Sequence, residues 1–191
     1  PVAQRAKYAN ISLDKAIRLG ELIEEFFEIT RYNLSNIILE KGEISLDMMI
    51  EQIVDEFYLL FEQKGIECKL NVEDDIYLYG DSDRLARVFD NIIRNAVSYS
   101  YDKTPITISA KRVRTGYVEI RFRNQGKEIA PHKLEHIFEK FYRLDDARSS
   151  QTGGSGLGLA IAKEIVELHQ GTIEAESNAQ YTEFIVTLPC M

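Results

Sequence analysis

The chain opens on a long helical period. From 4 to 34 there is no proline, and Leu19, Leu22, Phe26 and Ile29 recur three, four and three residues apart. Ile23 and Phe27 widen this stripe, and Tyr8 and Ile11 extend it upstream. Such spacing keeps all of them on one side of an α-helix. The opposite side carries Asp14, Lys15, Arg18, Glu21, Glu24, Glu25 and Glu28. About 30 helical residues reach roughly 45 Å, longer than a small domain is wide. The neighbouring sequence holds no second helix of that length. The pattern therefore predicts a bundle or coiled-coil helix whose partner is another chain or a segment ahead of this one. Packing onto its own domain is the plainer alternative.

Beyond Asn33 the period shortens and changes. Asn33 to Gly42 read as a connector with one short strand, Ile37-Ile38-Leu39. Ser45 is placed to cap a helix running to about Gln63, with Leu46, Met49, Ile50, Ile53, Val54, Phe57, Leu60 and Phe61 inward, and Lys64-Gly65 ends it. Alternation predicts strands over Cys68–Val72 and Ile76–Tyr79. Gly80-Asp81-Ser82-Asp83 then caps a helix whose buried face is Leu85, Val88, Phe89, Ile92, Ile93, Ala96 and Val97. Strands over Ile106–Val113 and Tyr117–Arg123 turn around Thr115-Gly116 as a hairpin. A helix over Pro131–Glu139 and an irregular polar stretch, Tyr142 to Ser155, precede a helix from Gly156 to His169 that stops at Gly171. Two strands, Thr172–Glu176 and Thr182–Leu188, follow. The fold class is α+β: a two-layer α/β sandwich, with a mixed sheet carrying its helices on one face. The boundary falls between 1–34 and 35–191.

Composition narrows the function without choosing it. The 191 residues are 45% hydrophobic and 28% charged with 4 prolines, an ordinary globular balance. A net charge of −8 argues against a sequence-independent grip on nucleic acid, yet leaves room for a small basic pocket that takes a polyphosphate. Cys68 and Cys190 match no ligand or redox spacing and read as reduced, cytosolic and structural thiols. No apolar run approaches the roughly 18 residues of a membrane span, so no membrane contact is expected of this stretch.

Gln151-Thr152-Gly153-Gly154-Ser155-Gly156-Leu157-Gly158-Leu159-Ala160-Ile161-Ala162 is the densest signal. Four of the chain's 11 glycines fall within six residues, where a helix is about to start. Glycine admits φ > 0 and close backbone approach, and the free N–H groups of a first helical turn favour an anion. Alone, such a run is equally a flexible connector. A second element strengthens the anion reading. On the helix after Asp81, Asn91 and Asn95 lie one turn apart on one face, flanked by Arg84, Arg87, Arg94 and Ser98. A neutral amide oxygen is an adequate Mg²⁺ ligand only when phosphates bring most of the charge. Either Asn alone would more simply solvate a helix face.

Together these residues carry a resemblance. Asp90-Asn91-Ile92-Ile93-Arg94-Asn95-Ala96-Val97-Ser98-Tyr99-Ser100 resembles the N box of sensor histidine kinases. Asn124-Gln125-Gly126-Lys127-Glu128-Ile129 stands at their first glycine box. Ile137-Phe138-Glu139-Lys140-Phe141-Tyr142-Arg143 is similar to the F box, and Gly154-Ser155-Gly156-Leu157-Gly158-Leu159 to the second glycine box. The order and spacing of the four motifs agree over about 36–190. The resemblance implies the Bergerat ATP-binding fold for 35–191, with 1–34 as the second helix of the dimerisation domain. The run Phe138 to Asp145, followed by Ser-Gln-Thr-Gly-Gly, is most similar to the family's vancomycin-resistance branch.

The resemblance implies roles. Asn95 ligates Mg²⁺, Asn91 contacts phosphate or metal-bound water, and Arg143 reaches the γ-phosphate. Tyr99 lies against the adenine, Asn124 accepts from its amino group, and Thr182 supports it. Gly126 and Ile129, Phe141, and Gly154, Gly156, Leu157 and Gly158 complete the nucleotide contacts. Three positions depart from the family: Asn124 replaces an Asp, Glu128 a glycine and Ser98 a Lys, which bears on affinity for ATP. Tyr142–Ser155 suits a lid over the nucleotide. Phe138 and Phe141 read first as packing.

None of the three histidines, His132, His136 and His169, has the context of a phosphoacceptor. The acceptor is expected on a first helix ahead of Pro1. The implied activity is transfer of the ATP γ-phosphoryl group to that histidine and on to a response regulator of the VanR type. The implied setting is a homodimer in the cytoplasmic portion of a bacterial inner-membrane sensor. One rival is a hydrolytic ATPase of the wider fold group, which uses a Glu at the position of Asn91 to activate water; an amide is no base. The other is a dimerising module that binds nucleotide weakly.

Overall fold

The computed structural model describes residues 2–34, 38–114, 116–144 and 155–191. Two compact units divide the chain, 1–37 and 38–191. The first is a single helix, α1 (Val2–Leu34). Tyr8, Ile11, Leu19, Ile23 and Phe27 of its apolar stripe are exposed, and Leu22 is half-buried. The side chains of Phe26 and Ile29, and of Asp14, Arg18, Glu21, Glu24, Glu25 and Glu28 opposite, lie outside the described residues. Among the described residues no helix is long and apolar enough to cross a membrane.

The second unit is the sandwich. Its strands β2 (Cys68–Val72), β4 (Ile106–Arg114), β5 (Tyr117–Asn124), β7 (Thr182–Pro189) and β6 (Thr172–Ser177) form a five-stranded sheet in the order β2-β4-β5-β7-β6. Only β2 and β4 are parallel; the other pairs are antiparallel. Alternation decides which face is covered. Ile106, Ile108 and Ala110, then Val118, Ile120 and Phe122, then Phe184, Val186 and Leu188 are buried on one face. Helices α4 (Ser82–Tyr99) and α6 (Gly158–Leu168) supply the matching apolar sides, with Phe89 and Phe122 rings 5.7 Å apart. On the other face Glu119, Arg121 and Arg123 stand on β5. Glu183, only 2% exposed, accepts from both arginines there, at 2.7 Å from Arg121 and 2.8 Å from Arg123. A buried carboxylate is tolerable because two guanidinium groups share it.

Five local expectations need correction. The first strand is not at 37–39: Ile37 is outside the described residues, 38–40 form no strand, and β1 is Lys41–Ser45. β1 pairs with β3 (Tyr77–Asp81) in a separate two-stranded sheet, and Ile44 faces Leu78 in the pairing. Ser45 stands at the cap position but its hydroxyl donates to the Asp47 carboxylate rather than receiving a backbone N–H. The helix after it is two, α2 (Leu46–Glu56) and α3 (Tyr58–Lys64). The break is at Phe57, whose φ −89° and ψ 0° bring its N–H to the Val54 carbonyl, one residue short of the α pattern. Leu60, expected inward, is exposed. The helix expected over 131–139 is one turn, α5 (Pro131–Leu134), continued by tight turns in which His136 donates to Lys133 and Glu139 to His136.

The end of α6 differs in an instructive way. Gly171 donates to the Val166 carbonyl and Gln170 to the Glu167 carbonyl, the double bond of a Schellman stop. The left-handed residue of that motif is Gln170, at φ +61°, and not Gly171. Gly171 is small for another reason: a Cβ there would lie 2.4 Å from the Thr187 carbonyl oxygen. Gln170→Gly is therefore expected to raise stability by about 1 kcal/mol, since the exposed side chain contributes little and the left-handed conformation costs a non-glycine residue about that much. Urea unfolding of the two chains checks it; a variant less stable than its parent contradicts it.

Candidate functional site

The site is built on α4. Asp81 caps it, its side chain accepting the Arg84 N–H at 3.2 Å and pairing with the Arg84 guanidinium at the same distance. Buried Leu85, Val88, Phe89, Ile92, Ile93, Ala96 and Val97 seat the helix on the sheet, which leaves Asn91 and Asn95 half-buried at its side. Two of the three arginines expected to flank them are engaged elsewhere. Arg84 is tied to Asp81, and Arg94 to Asp90 at 2.8 Å with its guanidinium over the Phe57 ring.

Asn91 meets the glycine-led helix. A Cβ added to Gly158 would lie 3.1 Å from Asn91 Oδ1 and 3.4 Å from its Cγ, so the first residue of α6 sits directly against the amide. Helix α6 starts at Gly158, two residues later than expected, because Gly156 takes φ +77° and turns the chain into it. That turn is tightly packed. A Cβ on Gly156 would approach the Tyr142 carbonyl oxygen to 2.9 Å, and the Gly156 carbonyl accepts the Phe141 N–H at 2.9 Å. Leu157 is buried, and its N–H is satisfied by Ser155 Oγ at 3.0 Å. Among the described residues no side chain caps α6, whose first-turn N–H groups, as in any helix, have no intrahelical acceptor.

One atom stands out. Asn91 Nδ2 is buried and has no hydrogen-bond partner among the described residues. An unsatisfied buried donor costs about 1–3 kcal/mol, and evolution seldom leaves one without a use. Beside an uncapped helix start, it asks for a ligand with acceptor oxygens.

The far end of α4 gathers the second half of the site. Ser100 bridges Gly126, and Tyr101 donates to the Gln125 carbonyl at 2.8 Å. A Cβ on Gly126 would lie 2.3 Å from the Tyr99 carbonyl oxygen and 3.3 Å from Asn124 Nδ2. Asn124, buried at the end of β5, faces Thr182 across the ladder. Thr182 Oγ1 is 2.8 Å from Ser177 Oγ, which also accepts the Ile129 N–H at 2.9 Å. Tyr99, Asn124, Gly126, Ile129 and Thr182 thus share one corner. Ser177 completes it and was not singled out in the sequence, although its place at the end of β6, opposite Thr182, is a signal of the last hairpin.

The remaining expectations divide. Phe138 packs edge-on against Phe184 at 6.4 Å, whereas Phe141, read as packing, is 61% exposed with φ +65°. Half-buried Arg143 follows Tyr142. Gly154 and 145–153 of the expected lid lie outside the described residues. Ser98 donates to the Arg94 carbonyl at 2.7 Å within its own helix. The ammonium at this end comes instead from Lys64, which donates to the Val97 carbonyl at 2.7 Å, a cation placed favourably at a helix C-terminus.

Comparison with known proteins agrees with this arrangement. Residues 80–191 match the family described as histidine kinase-, DNA gyrase B-, and HSP90-like ATPase. Sensor protein VanS of Enterococcus faecium is 54% identical over 191 residues, all of this chain and 49% of the relative. Sensor protein VanSC of Enterococcus gallinarum is 44% identical over 187 residues, 98% of this chain and 51% of the relative. The chain spans about half the length of these curated relatives. Among solved structures, the nucleotide-free catalytic domain of histidine kinase ThkA is 26% identical with a TM-score of 0.70, covering 78% of this chain and 95% of that one. Full-length ShkA in complex with AMPPNP shares the fold, at 24% identity and a TM-score of 0.80, over 90% of this chain and 36% of that one.

Proposed function

This chain belongs to the histidine kinase-, DNA gyrase B-, and HSP90-like ATPase family, and from that premise we propose that 35–191 bind Mg²⁺-ATP for a sensor histidine kinase. The γ-phosphoryl group goes to a histidine outside this chain and then to a VanR-like response regulator. Vancomycin resistance is the output this reading gives the pathway. Helix α1 is read as part of the dimerisation domain, and the parent as a membrane sensor whose cytoplasmic portion holds this sequence.

The observation that carries the reading is the unpartnered Asn91 Nδ2 against Gly158 and the uncapped start of α6. Donors with nothing to donate to fit a phosphate chain. Asn91 and Tyr99 are eight residues apart on α4, about 12 Å along its axis, which suits a nucleotide with its phosphates at one end and its base at the other. Asn95, between them, offers an amide oxygen to a divalent ion whose charge the phosphates balance. The ion supplies charge neutralisation, while Asn91, Gly158 and Arg143 orient the transferring group. Asn91 is an amide and cannot take a proton from water, which disfavours hydrolysis as the main activity.

Titration with a non-hydrolysable ATP analogue tests this. Binding is expected with Mg²⁺, weakened about tenfold by Asn95→Ala or by removing the ion, the equivalent of about 1.4 kcal/mol. Incubation with labelled ATP and a separate acceptor-helix polypeptide is expected to yield phosphohistidine. Binding without transfer would favour a non-catalytic nucleotide module; no binding would overturn the reading.

A further inference from the structure

We propose that His169 is a positioning residue for the nucleotide site: its imidazole ties the end of α6 to the cap of α4 and so fixes how Asn91 meets Gly158. The inference rests on the nucleotide reading above.

His169 is buried at the C-cap of α6, on the opposite end of that helix from Gly158. Its Nε2 lies 3.0 Å from the Asp81 backbone nitrogen, and its Nδ1 2.8 Å from the Ile165 carbonyl oxygen. A backbone N–H only donates, so Nε2 is the acceptor and Nδ1 carries the proton. The ring is therefore neutral, in a single tautomer, with both nitrogens used. Burial pushes the imidazole below its ordinary value, in keeping with that state. Gly80 makes room for it: a Cβ there would lie 2.9 Å from His169 Cδ2 and 2.8 Å from Leu85 Cδ1.

What His169 holds is the start of the helix that carries the amides. Asp81 caps α4, and its side chain also accepts the Glu40 N–H at 3.1 Å. Helices α4 and α6 are antiparallel neighbours touching through polar groups at two levels, Asp81 with His169 and Asn91 with Gly158. Ten residues separate Asp81 from Asn91 and eleven separate Gly158 from His169, about 15 to 17 Å of rise in each. Between these levels the buried side chains of both helices are apolar and set no direction as a hydrogen bond does. Losing the Nε2 acceptor removes the upper pin, and the Asn91–Gly158 spacing at the lower level loosens.

Two isosteric variants separate positioning from plain stability. His169→Gln places Oε1 near Nε2 and keeps the acceptor for Asp81. His169→Asn places Nδ2 near Nδ1 and keeps only the bond to Ile165. Each loses one side-chain hydrogen bond, but Ile165 keeps the His169 backbone N–H while the Asn variant strands the Asp81 N–H. The Asn variant should therefore melt lower, and affinities are compared where both variants are folded. The expected result is that the Asn variant binds an ATP analogue about tenfold more weakly while the Gln variant stays within twofold of the parent. In the nucleotide-free chain, the Asn91 side-chain NH₂ resonances should shift in the Asn variant and not in the Gln variant. A second measurement covers an Asn variant that does not fold. Protonating His169 in the unsubstituted chain should move the Asn91 resonances with the imidazole's own midpoint, the charged groups facing the ring being Lys41, Asp81 and Arg84. Equal affinities in the two variants, or Asn91 signals that ignore both the Asn variant and the titration, would overturn the positioning role. If the unsubstituted chain binds no nucleotide, the nucleotide reading fails while the resonances still decide whether His169 sets Asn91.

Discussion

Gly126→Ala is expected to lower affinity for an ATP analogue at least about thirtyfold and stability by about 3 kcal/mol, the upper part of the overpacking range. Gly126 does not need a left-handed φ; it needs emptiness. Its missing Cβ would stand 2.3 Å from the Tyr99 carbonyl oxygen, a distance no flexible side chain can relieve because the obstacle is main chain. Making room means parting the Ser100–Gly126 bridge and the Tyr101-to-Gln125 hydrogen bond, which together hold the end of α4 to the segment after β5. Tyr99 and Asn124, the two residues expected against the base, lie on the two sides of that seam. Gly171→Ala is the matched control. Its Cβ would clash equally hard, at 2.4 Å from the Thr187 carbonyl oxygen, but at the opposite end of α6 from the Gly156 turn. It should cost similar stability. Any affinity loss, measured where both variants are folded, reaches the site only through neighbouring His169 and should stay within about tenfold, well below that of Gly126→Ala. Calorimetric titration and urea unfolding read the two effects separately. Parent-like affinity in Gly126→Ala would remove the base from this corner.

The two informative helices were legible because their signals are local. The Leu85-to-Val97 period, the Asp81 cap and the hairpin turning at Gly116 each depend on residues within a turn or two, and each stands as expected. The errors share a cause: they depend on distant partners. Nothing within 37–45 says that β1 pairs with β3 rather than joining the main sheet, since that pairing spans the whole of α2, α3 and β2. The apolar spacing of Leu46 to Phe61 is the same for one helix or two, and Phe57 breaks the run where it turns under Arg94. At the end of α6 a glycine drew attention from Gln170, the residue that actually enters the left-handed region. For the site, residue types and motif order identified Asn91 and Gly158, but only the fold puts one against the other. His169 and Ser177 were passed over because their value lies in what they bridge, which no spacing records.

The site also divides its labour along α4. At the Tyr99 end several polar groups pair within the protein: Thr182 with Ser177, Ser177 with the Ile129 N–H, and the Val97 carbonyl with Lys64. At the Asn91 end a donor is left open. The contacts at the Tyr99 end brace the corner in which Asn124 is expected to meet a base. A corner with spare donors is suited to charge. On the nucleotide reading, the fold bears the cost of the open donor without ligand, and a phosphate would offset it.

Asn91→Asp tests that division with effects of opposite kind. The substitution is nearly isosteric, so packing against Gly158 is kept, and the open donor becomes an acceptor carrying a negative charge. Without nucleotide that charge faces the uncapped start of α6, where the helix dipole and free N–H groups favour an anion by about 0.3–1 kcal/mol, offsetting part of the desolvation of a half-buried carboxylate. Stability is therefore expected to fall by about 1–2 kcal/mol. With nucleotide, the carboxylate meets phosphate oxygens: two unit charges about 4 Å apart at an effective dielectric of about 20 repel by about 4 kcal/mol. Screening by Mg²⁺ and solvent reduces this, and an affinity loss of about 100-fold or more remains. Raising salt should narrow the gap between variant and parent, as a charge effect must. Affinity within threefold of the parent would mean that Asn91 faces no phosphate, and a stability loss near 3 kcal/mol would mean that the amide serves the fold rather than a ligand.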